Sequence, residues 1–399
     1  MTGLLAFGGL LDAAHMLLGA VAVACEVCAV LGVIYTLAAA VLVGRFFARR
    51  RPEPTSFPPV TIVKPLRGAE WALPGNLSSF CSQDYPGKVQ FLFGVADPGD
   101  PALQAVEDLR RLHPDAHITV VADPSLHGPN RKVSNLINML PQAHHDLLVF
   151  ADSDVSVSPD YLRNVVGELQ RPGVGLVTCV YRGVPDPGLW PRFSAMATNY
   201  QFLPSVVAGL ALGRARPCFG QTIAMRRETL DKIGGLAQFA CHLAEDHAIG
   251  EAVRRLGAVG AEVAVPPFAI SHACVETTFA RLVAHELRWS RTIRAVDPAG
   301  HLGSALIHPL AFAFLALLLS GLAPWAWPVA FVALAARLAL KLRVDRALGG
   351  PSNDLWLLPP WDLVSLGIFA ASYYSSRVTW RGINFNVDKK GFLTPVGDK

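Results

Sequence analysis

The side chains best suited to chemistry are carboxylates that directly follow short apolar runs. Asp152-Ser153-Asp154 comes after the run Leu147–Phe150, and Asp97 comes after Gln90–Val95. Two carboxylates separated by one residue, here Asp152 and Asp154, can bind a hard divalent cation such as Mg or Mn through oxygen ligands. Such a cation neutralises a diphosphate and helps it to leave. Acidic residues at such positions also form turns and cap helices, so the spacing alone leaves both interpretations open.

A second acidic pair, Glu245-Asp246, begins a helical pattern that extends to Leu256. Carboxylates are common at helix starts because the helix dipole favours negative charge there. The alternative is a general base that removes a proton from an acceptor hydroxyl. Because the dipole lowers the pKa of a carboxylate, a base at this position requires burial or acidic neighbours that raise it.

A third group combines a cation with two rings. His285, Arg288 and Trp289 lie at positions i, i+3 and i+4 of a helical stretch and so share one face. Arginine offers a rigid fork for phosphate, and tryptophan offers a flat wall for a sugar or an acyl chain. A basic, aromatic helix at a membrane interface would have the same pattern, and spacing does not separate the two.

These groups require a scaffold of alternating strands and helices. Near-continuous apolar runs predict strands buried on both faces of a mostly parallel sheet: Val60–Val63, Gln90–Val95, Ile118–Val121, Leu147–Phe150 and Gly175–Val180. Helical patterns occur at Pro101–Leu112, Pro159–Leu169 and Glu245–Leu256. The alternation predicts an α/β fold, in which ligands bind beyond the carboxyl ends of the strands.

The composition indicates membrane segments as well. Only 17% of the 399 residues are charged and the mean hydropathy is +0.35, whereas soluble domains carry about a quarter charged residues. Val27–Gly44 contains no charge and is long enough to span a bilayer. Arg45 and the run 49–51 follow at once, so the positive-inside rule predicts that the next domain is cytosolic.

Further apolar stretches lie near the other end of the chain. Leu306–Leu322 and Trp327–Leu340 are predicted as two spans joined by a short turn. Leu355–Ser372 is interrupted by Pro359-Pro360 and Asp362, and could span, re-enter or lie in the interface. The predicted organisation is an anchor at 1–50, a cytosolic domain at 51–300, membrane or interfacial helices at 301–375 and a cytosolic tail at 376–399.

Charge and cysteine content exclude several classes of protein. The net charge of +4 comes mostly from arginines near the apolar segments. It suits an anionic membrane surface or a phosphorylated ligand, and no stripe for binding nucleic acid is present. The seven cysteines are scattered and odd in number, which favours buried thiols in a reducing compartment over a disulfide framework.

The order of these motifs resembles the family-2-like glycosyltransferases, and most closely the ceramide glucosyltransferase family (family 21), which includes bacterial relatives that glycosylate hopanoid lipids. The match covers nearly the whole chain. Beyond the acidic motifs and the Arg-Trp helix it is carried by Lys64-Pro65-Leu66-Arg67-Gly68, Gln83-Asp84-Tyr85-Pro86, Asp100-Pro101-Ala102, Asn130-Arg131-Lys132-Val133-Ser134-Asn135, Gly234-Gly235-Leu236 and Trp380-Arg381-Gly382. The resemblance implies a GT-A-type nucleotide-sugar-binding (Rossmann-like) domain plus transmembrane helices.

The resemblance also implies roles at the matching positions. Asp97 would contact the nucleotide, Asp152 the metal and the diphosphate, and Asp246 the acceptor hydroxyl as catalytic base. Arg288 and Trp289 would contact the diphosphate and the acceptor. The other predicted substrate-binding residues lie in or beside the same motifs: Lys64, Lys132, Glu245 and His285.

The chain departs from the family pattern at two positions. The helix motif begins with His285 where the family usually has Gln or Arg, which argues against a processive polysaccharide synthase. Asp154 has no carboxylate counterpart in the animal ceramide enzymes, so its metal role follows from the broader Asp-x-Asp resemblance.

The predicted function is inverting transfer of one sugar, glucose or N-acetylglucosamine, from a UDP-sugar to a lipid alcohol such as ceramide or a hopanoid. The predicted location is the cell (inner) membrane, with several spans and a cytosolic catalytic domain. A polysaccharide synthase is the alternative enzyme. A transporter with a nucleotide-binding domain is the alternative outside enzymes, although the apolar segments show no duplicated halves and few polar groups.

Overall fold

The computed structural model describes residues 2–68, 70, 72–257, 260–350, 353–374, 377–380, 383–387 and 393–395. The chain forms two compact units. The helical unit contains Met1–Phe46, Met196–Ala211 and Thr278–Ser375, and the sheet unit contains Phe47–Ala195, Leu212–Thr277 and Ser376–Lys399. Arg381 and Gly382, part of the last family motif, lie outside the described residues.

The elements follow the alternation that the sequence predicts. The strands are β1 (Val60–Pro65), β2 (Val89–Val95), β3 (His117–Ala122), β4 (Leu147–Phe150), β5 (Val155–Ser156), β6 (Val174–Thr178), β7 (Val180–Pro185), β8 (Ile223–Arg226), β9 (Glu262–Ala264), β10 (Ala269–Cys274), β11 (Arg377–Trp380), β12 (Ile383–Val387) and β13 (Leu393–Pro395). The helices are α1 (Thr2–Phe47), α2 (Leu73–Cys81), α3 (Ala102–Leu112), α4 (Arg131–Met139), α5 (Tyr161–Leu169), α6 (Leu189–Ala197), α7 (Leu203–Ala211), α8 (Arg227–Lys232), α9 (Glu245–Arg254), α10 (Phe279–Val296), α11 (Pro298–Gly303), α12 (Pro309–Leu319), α13 (Trp327–Leu348) and α14 (Leu358–Ala371).

The main sheet has seven strands in the order β3-β2-β1-β4-β8-β6-β9. Strands β3, β2, β1 and β4 are parallel, and β8 runs antiparallel between β4 and β6. The α/β fold class is therefore confirmed. Because β1, β2 and β4 are parallel and adjacent, their carboxyl ends lie at one edge, which brings Lys64 and the segments after Val95 and Phe150 to the same edge.

One predicted strand is in fact two. The apolar run Gly175–Val180 divides at Cys179: β6 stays in the main sheet, while β7 pairs in parallel with β10 in a second sheet that also contains β5. At the division, Phe219 N–H donates to Thr178 Oγ1 (2.9 Å) and Thr178 Oγ1 donates to Phe219 O (3.2 Å). These hydrogen bonds of the Thr178 side chain lie where the pairing of β6 with β8 ends, and the chain leaves the main sheet there.

The core of the sheet unit includes residues of two helices. Side chains of the central strands, such as Val63 and Leu148, are fully buried in one cluster with Val133 of α4 and Val253 of α9. Complete burial of a Val or Leu side chain contributes about 1.5–3 kcal/mol. The helices α4 and α9 are thereby held against the sheet.

The helical unit contains the apolar helices. By length and composition, three helices among the described residues are suited to cross a membrane: Ala14–Phe47, Pro324–Leu348 and Leu355–Tyr374. The predicted continuous span Leu306–Leu322 is wrong in detail, because Pro298–Ile307 and Pro309–Leu319 are bent by 65° at His308. Pro309 explains the bend, since the residue before a proline is disfavoured in helical conformation.

The third apolar stretch forms a helix despite its prolines. Pro359 and Pro360 lie in the first turn of α14, where a missing N–H breaks no intrahelical bond. Asp362 is fully buried, and its carboxylate is paired with Arg337 at 2.7 Å. Neither feature interrupts the helix, although both had suggested a break.

Candidate active site

Three of the predicted site residues meet at the carboxyl edge of the main sheet. The Lys132 ammonium lies 2.7 Å from Asp152 Oδ1 and 3.0 Å from Glu245 Oε1. Asp152 follows β4, Lys132 lies in the first turn of α4, and Glu245 begins α9. Lys132 therefore joins the ends of three elements, one of which, α9, is distant from the other two in the sequence.

The local sequence around Asn130 explains this convergence. Asn130 is the N-cap of α4, and its Oδ1 accepts a hydrogen bond from Val133 N–H (3.1 Å). Its Nδ2 donates to His242 O (2.9 Å) and to Glu245 Oε2 (3.1 Å). A single buried amide thus ends the loop before α4 and fixes the start of α9 beside it.

The charges around Lys132 are strongly coupled. Burial by itself would lower the pKa of the Lys132 ammonium, but the carboxylates of Asp152 and Glu245 outweigh burial and raise that pKa above its usual value. Lys132 is therefore a permanent cation at the centre of an acidic cluster.

Asp246 lies beside this cluster with an altered acidity. Its Oδ2 accepts a hydrogen bond from Gly220 N–H (2.9 Å), and its Oδ1 accepts one from His247 N–H (2.7 Å). Burial, and then the neighbouring Glu245 carboxylate, raise the pKa of Asp246 to about 6. A base at a helix start requires burial or acidic neighbours that raise its pKa. The structure gives Asp246 both.

Gly220 is a residue that the sequence did not single out. A Cβ at this position would lie 2.8 Å from Lys132 Nζ, 3.5 Å from Asp152 Oδ2 and 3.6 Å from Asp246 Oδ2. Any side chain here would displace the Lys132 ammonium or fill the space that these three groups share. A lone glycine between Phe219 and Gln221 carries no signal of this in the sequence.

Asp154 and His272 form a second pair. His272 Nδ1 lies 3.5 Å from Asp154 Oδ2, and burial of the ring is outweighed by the Asp154 carboxylate, so that the pKa of His272 is raised. Asp154 Oδ1 is buried and receives no hydrogen bond from any residue that the structure describes. His272 comes from β10, a strand that the sequence did not predict.

The two carboxylates Asp152 and Asp154 fit part of a metal site. Across the described ranges, no group of three or more His, Cys, Asp or Glu side chains is arranged to hold an ion. The unbonded Oδ1 of Asp154 is nevertheless the kind of oxygen that a cation would use. Mg is commonly held by one or two carboxylates together with substrate phosphates and water, so this pair is compatible with it.

Lys64 contacts protein atoms at the same edge. It is fully buried, its Nζ donates to the backbone O of Asp152 (2.7 Å), and it lies 3.8 Å from the centroid of the Phe80 ring. Burial lowers the pKa of Lys64 to about 7, against the opposing effect of Asp154 and Asp152. Together with Asn76, which donates to Ser153 O (3.1 Å), it holds the 152–154 loop in position.

Asp97 lies after β2 at this edge and is exposed. Its Oδ1 accepts a hydrogen bond from Gly99 N–H (2.8 Å), which is an ordinary turn contact. Its contact with a nucleotide stays a prediction.

His285, Arg288 and Trp289 lie on α10, in the helical unit. The ring of Trp289 packs against His285, with centroids 5.7 Å apart, and against Phe202, with centroids 5.9 Å apart. The helix that the sequence predicts for these residues is present, and their roles in binding stay predictions.

Known proteins resemble this chain in sequence. Residues 23–393 match glycosyl transferase family 21. Ceramide glucosyltransferase 1 of Caenorhabditis elegans is 25% identical over 234 residues, which are 58% of this chain and 50% of that protein. The ceramide glucosyltransferase of Candida albicans is 36% identical over 119 residues, 27% of this chain and 22% of that protein. The chain thus spans half or less of the length of these two curated relatives.

The fold has a counterpart among solved structures. The mannosyltransferase PcManGT from Pyrobaculum calidifontis, in complex with GDP-Man and Mn2+, superposes with a TM-score of 0.55 at 23% identity. The match covers 90% of this chain and 98% of that one, and it confirms the GT-A-type fold. With the family match over nearly the whole length, the chain belongs to glycosyl transferase family 21.

Proposed function

We propose that this protein transfers one sugar, glucose or N-acetylglucosamine, from a UDP-sugar to the hydroxyl of a membrane lipid such as ceramide or a hopanoid, with inversion. One observation carries the proposal. Asp246, with a pKa of about 6, the Lys132 cation and the Asp152 carboxylate all lie close to the backbone of Gly220. A proposed base and a proposed site for a diphosphate are therefore next to each other.

Asp246 acts as the base. At neutral pH a carboxylate with this pKa is ionised, yet it is a better proton acceptor than an ordinary aspartate. It takes the proton of the acceptor hydroxyl as the hydroxyl oxygen bonds to the anomeric carbon. The bond from that carbon to the diphosphate oxygen breaks, and its electron pair leaves with UDP. A single displacement of this kind inverts the configuration at the anomeric carbon.

Lys132 and the two aspartates act at the leaving group. The Lys132 ammonium offers a positive charge to the diphosphate, and Asp152 keeps that ammonium in place at 2.7 Å. Asp152 and Asp154 would hold Mg or Mn, and a bound ion would neutralise the charge that develops on the departing diphosphate. Lys64 and Asn76 keep the loop that carries both carboxylates in position.

A lipid acceptor is supported by the apolar helices and by the relatives. The sequence relatives are named ceramide glucosyltransferases. Helix α10 carries Arg281, Arg288, Arg291 and Arg294 with Trp289, and it precedes the bent apolar pair that begins at Pro298. Arginine and tryptophan favour the headgroup level of a bilayer. The arginines after α1 support a cytosolic location of the sheet unit at the cell membrane, by the positive-inside rule.

The test is an assay of the purified protein in lipid nanodiscs with UDP-glucose and UDP-N-acetylglucosamine. Ceramide, a hopanoid polyol, diacylglycerol and water-soluble sugars are offered separately, and products are weighed by mass spectrometry. We expect a lipid that carries one added sugar. Glycosylation of soluble sugars alone would contradict the lipid acceptor, and a ladder of longer products would indicate a polysaccharide synthase.

A further inference from the structure

An apolar groove opens in the sheet unit, outside the cluster of charged residues. It has a volume of about 490 Å³ and is lined by residues 186–191, Val275 and Thr277. Two of its apolar side chains are well exposed, Leu189 at 40% and Val275 at 37%. Its volume is within the range of about 300–1,000 Å³ that is usual for small-molecule sites, and apolar surface of this kind often marks a binding site.

The groove is formed where two paired strands end. Strands β7 and β10 are parallel, with Pro185 opposite Cys274, and Asp186 N–H donates to Cys274 O (3.0 Å) where the strands end. Gly188, at φ +137°, allows the turn into α6. The residues that follow the two strands line the groove.

Strand β10 connects the groove to the candidate active site. Ala273 N–H donates to the backbone O of Asp154 (3.0 Å), and His272 of the same strand faces the Asp154 carboxylate at 3.5 Å. From His272 to Val275 is three residues, or about 10 Å along an extended chain. The groove therefore begins close to the carboxylates, at a distance that one elongated molecule would cover.

Both segments that line the groove continue directly into the helical unit. Thr277 is followed by Thr278, the N-cap of α10, and Pro191 comes five residues before Met196, where the chain enters that unit. The helical unit holds the helices that are long and apolar enough to cross a bilayer.

We propose that this groove binds the hydrocarbon chain of the lipid acceptor while the acceptor hydroxyl lies at Asp246, an inference that rests on the function proposed above. The exposed Leu189 and Val275 supply apolar contact for the lipid. The strand β10 sets the distance between the hydrocarbon chain in the groove and the reacting hydroxyl. The groove then selects acceptors by the length of their hydrocarbon chain, whereas the charged cluster around Lys132 binds the UDP-sugar.

Photo-crosslinking tests the location directly. The purified protein in nanodiscs is irradiated with a ceramide that carries a diazirine in its acyl chain, and the modified peptides are mapped by mass spectrometry. We expect labels in residues 186–191 and at Val275, and we expect unlabelled ceramide to compete for them. Labels confined to the apolar helices, or labels at the groove that excess ceramide leaves unchanged, would overturn the proposal.

A chain-length comparison tests the consequence for catalysis. Octanoyl and acetyl ceramides are supplied below their aggregation concentrations, and the ratio of their kcat/KM values is measured. Each methylene that enters the groove from water should raise kcat/KM about fourfold. In a Leu189→Ser/Val275→Ser variant we expect the ratio to fall about tenfold, whereas Leu112→Ser, at an exposed leucine of the same unit, leaves it unchanged.

The outcomes separate the two proposals. If the wild type forms no glycolipid from any lipid offered, the proposed lipid function is wrong. If the wild type forms a glycolipid but the chain-length ratio is the same in the groove variant, the function stands and the groove proposal is wrong.

Discussion

Both units contain buried charged side chains, but these side chains differ in the partners that they have. In the helical unit, Arg337 is 1% exposed and forms two hydrogen bonds of 2.7 Å with the carboxylate of Asp362 and a third, 2.8 Å long, with Tyr200 O. Lys341 likewise donates to Tyr200 Oη (2.8 Å) and Asp345 Oδ2 (2.9 Å). Both of these cations thus have a carboxylate partner, Asp362 for Arg337 and Asp345 for Lys341.

Two carboxylates of the sheet unit differ from these two pairs. Asp154 Oδ1 is buried without a hydrogen bond from the described residues, and Asp246 has a pKa of about 6 because burial and Glu245 disfavour its charge. Unmatched buried charge costs free energy and persists only where something stabilises it, such as a ligand. Similar residue types thus serve packing in one unit and, we propose, chemistry in the other.

The largest effect should follow from losing the metal-binding carboxylates. Asp152→Ala removes a partner of Lys132 and a proposed ligand, and a metal ion supplies several kcal/mol at the transition state. We expect transfer to fall about a thousandfold or more, and EDTA to inactivate the wild type until Mg or Mn is restored. Asp115→Ala, at an exposed aspartate of the same unit, is the control. Full activity in EDTA would exclude a metal-dependent reaction.

The helical unit should respond in stability. Arg337→Met leaves the Asp362 carboxylate buried without its partner, which lowers the free energy of unfolding by about 3–5 kcal/mol. Arg337→Met/Asp362→Leu removes both charges and should recover most of that loss. Unfolding by SDS in mixed micelles measures both, with the exposed Arg346→Met on the same helix as control. A double variant as unstable as the single one would show that the pair is not the cause.

A smaller effect is expected at Gly220. The added methyl of Gly220→Ala would lie 2.8 Å from Lys132 Nζ, so the ammonium has to move. Small displacements in a reacting site cost up to about a hundredfold, and we expect kcat to fall about ten- to a hundredfold with little change in stability. Gly75→Ala, which meets no atom within 4 Å, is the matched control. Equal kcat values for the two variants would contradict a shared site around Gly220.

The sequence predicts those strands whose residues are apolar and buried at consecutive positions. Leu147–Phe150 is apolar at every position and is buried at every position, and β4 begins and ends as predicted. By contrast β10, which reads Ala-Ile-Ser-His-Ala-Cys, alternates in a weak pattern and has no separate signal. Its partners are distant in the sequence, and only the folded chain shows that it carries His272 to Asp154.

The same limit applies to the site. Asp152 and Glu245 could be selected because each lies at the end of a predicted element, and Lys132 because it lies in a family motif. Their meeting at one ammonium depends on the packing of α4 and α9, which no short motif encodes. Gly220 matters because it lacks a side chain, and a sequence shows no sign of what a missing side chain would have touched.

The proposal that Asp246 is the base is tested most directly by the pH dependence of kcat/KM. Because a base must be deprotonated and the pKa of Asp246 is raised to about 6, activity should be constant above pH 7 and fall about tenfold for each pH unit below 6. Asp246→Asn should bind the UDP-sugar normally, lose about 10²–10⁴-fold in turnover, and show no such acid limb. A wild-type profile that is flat from pH 5 to 8, or an acid limb that survives in Asp246→Asn, would contradict the assignment.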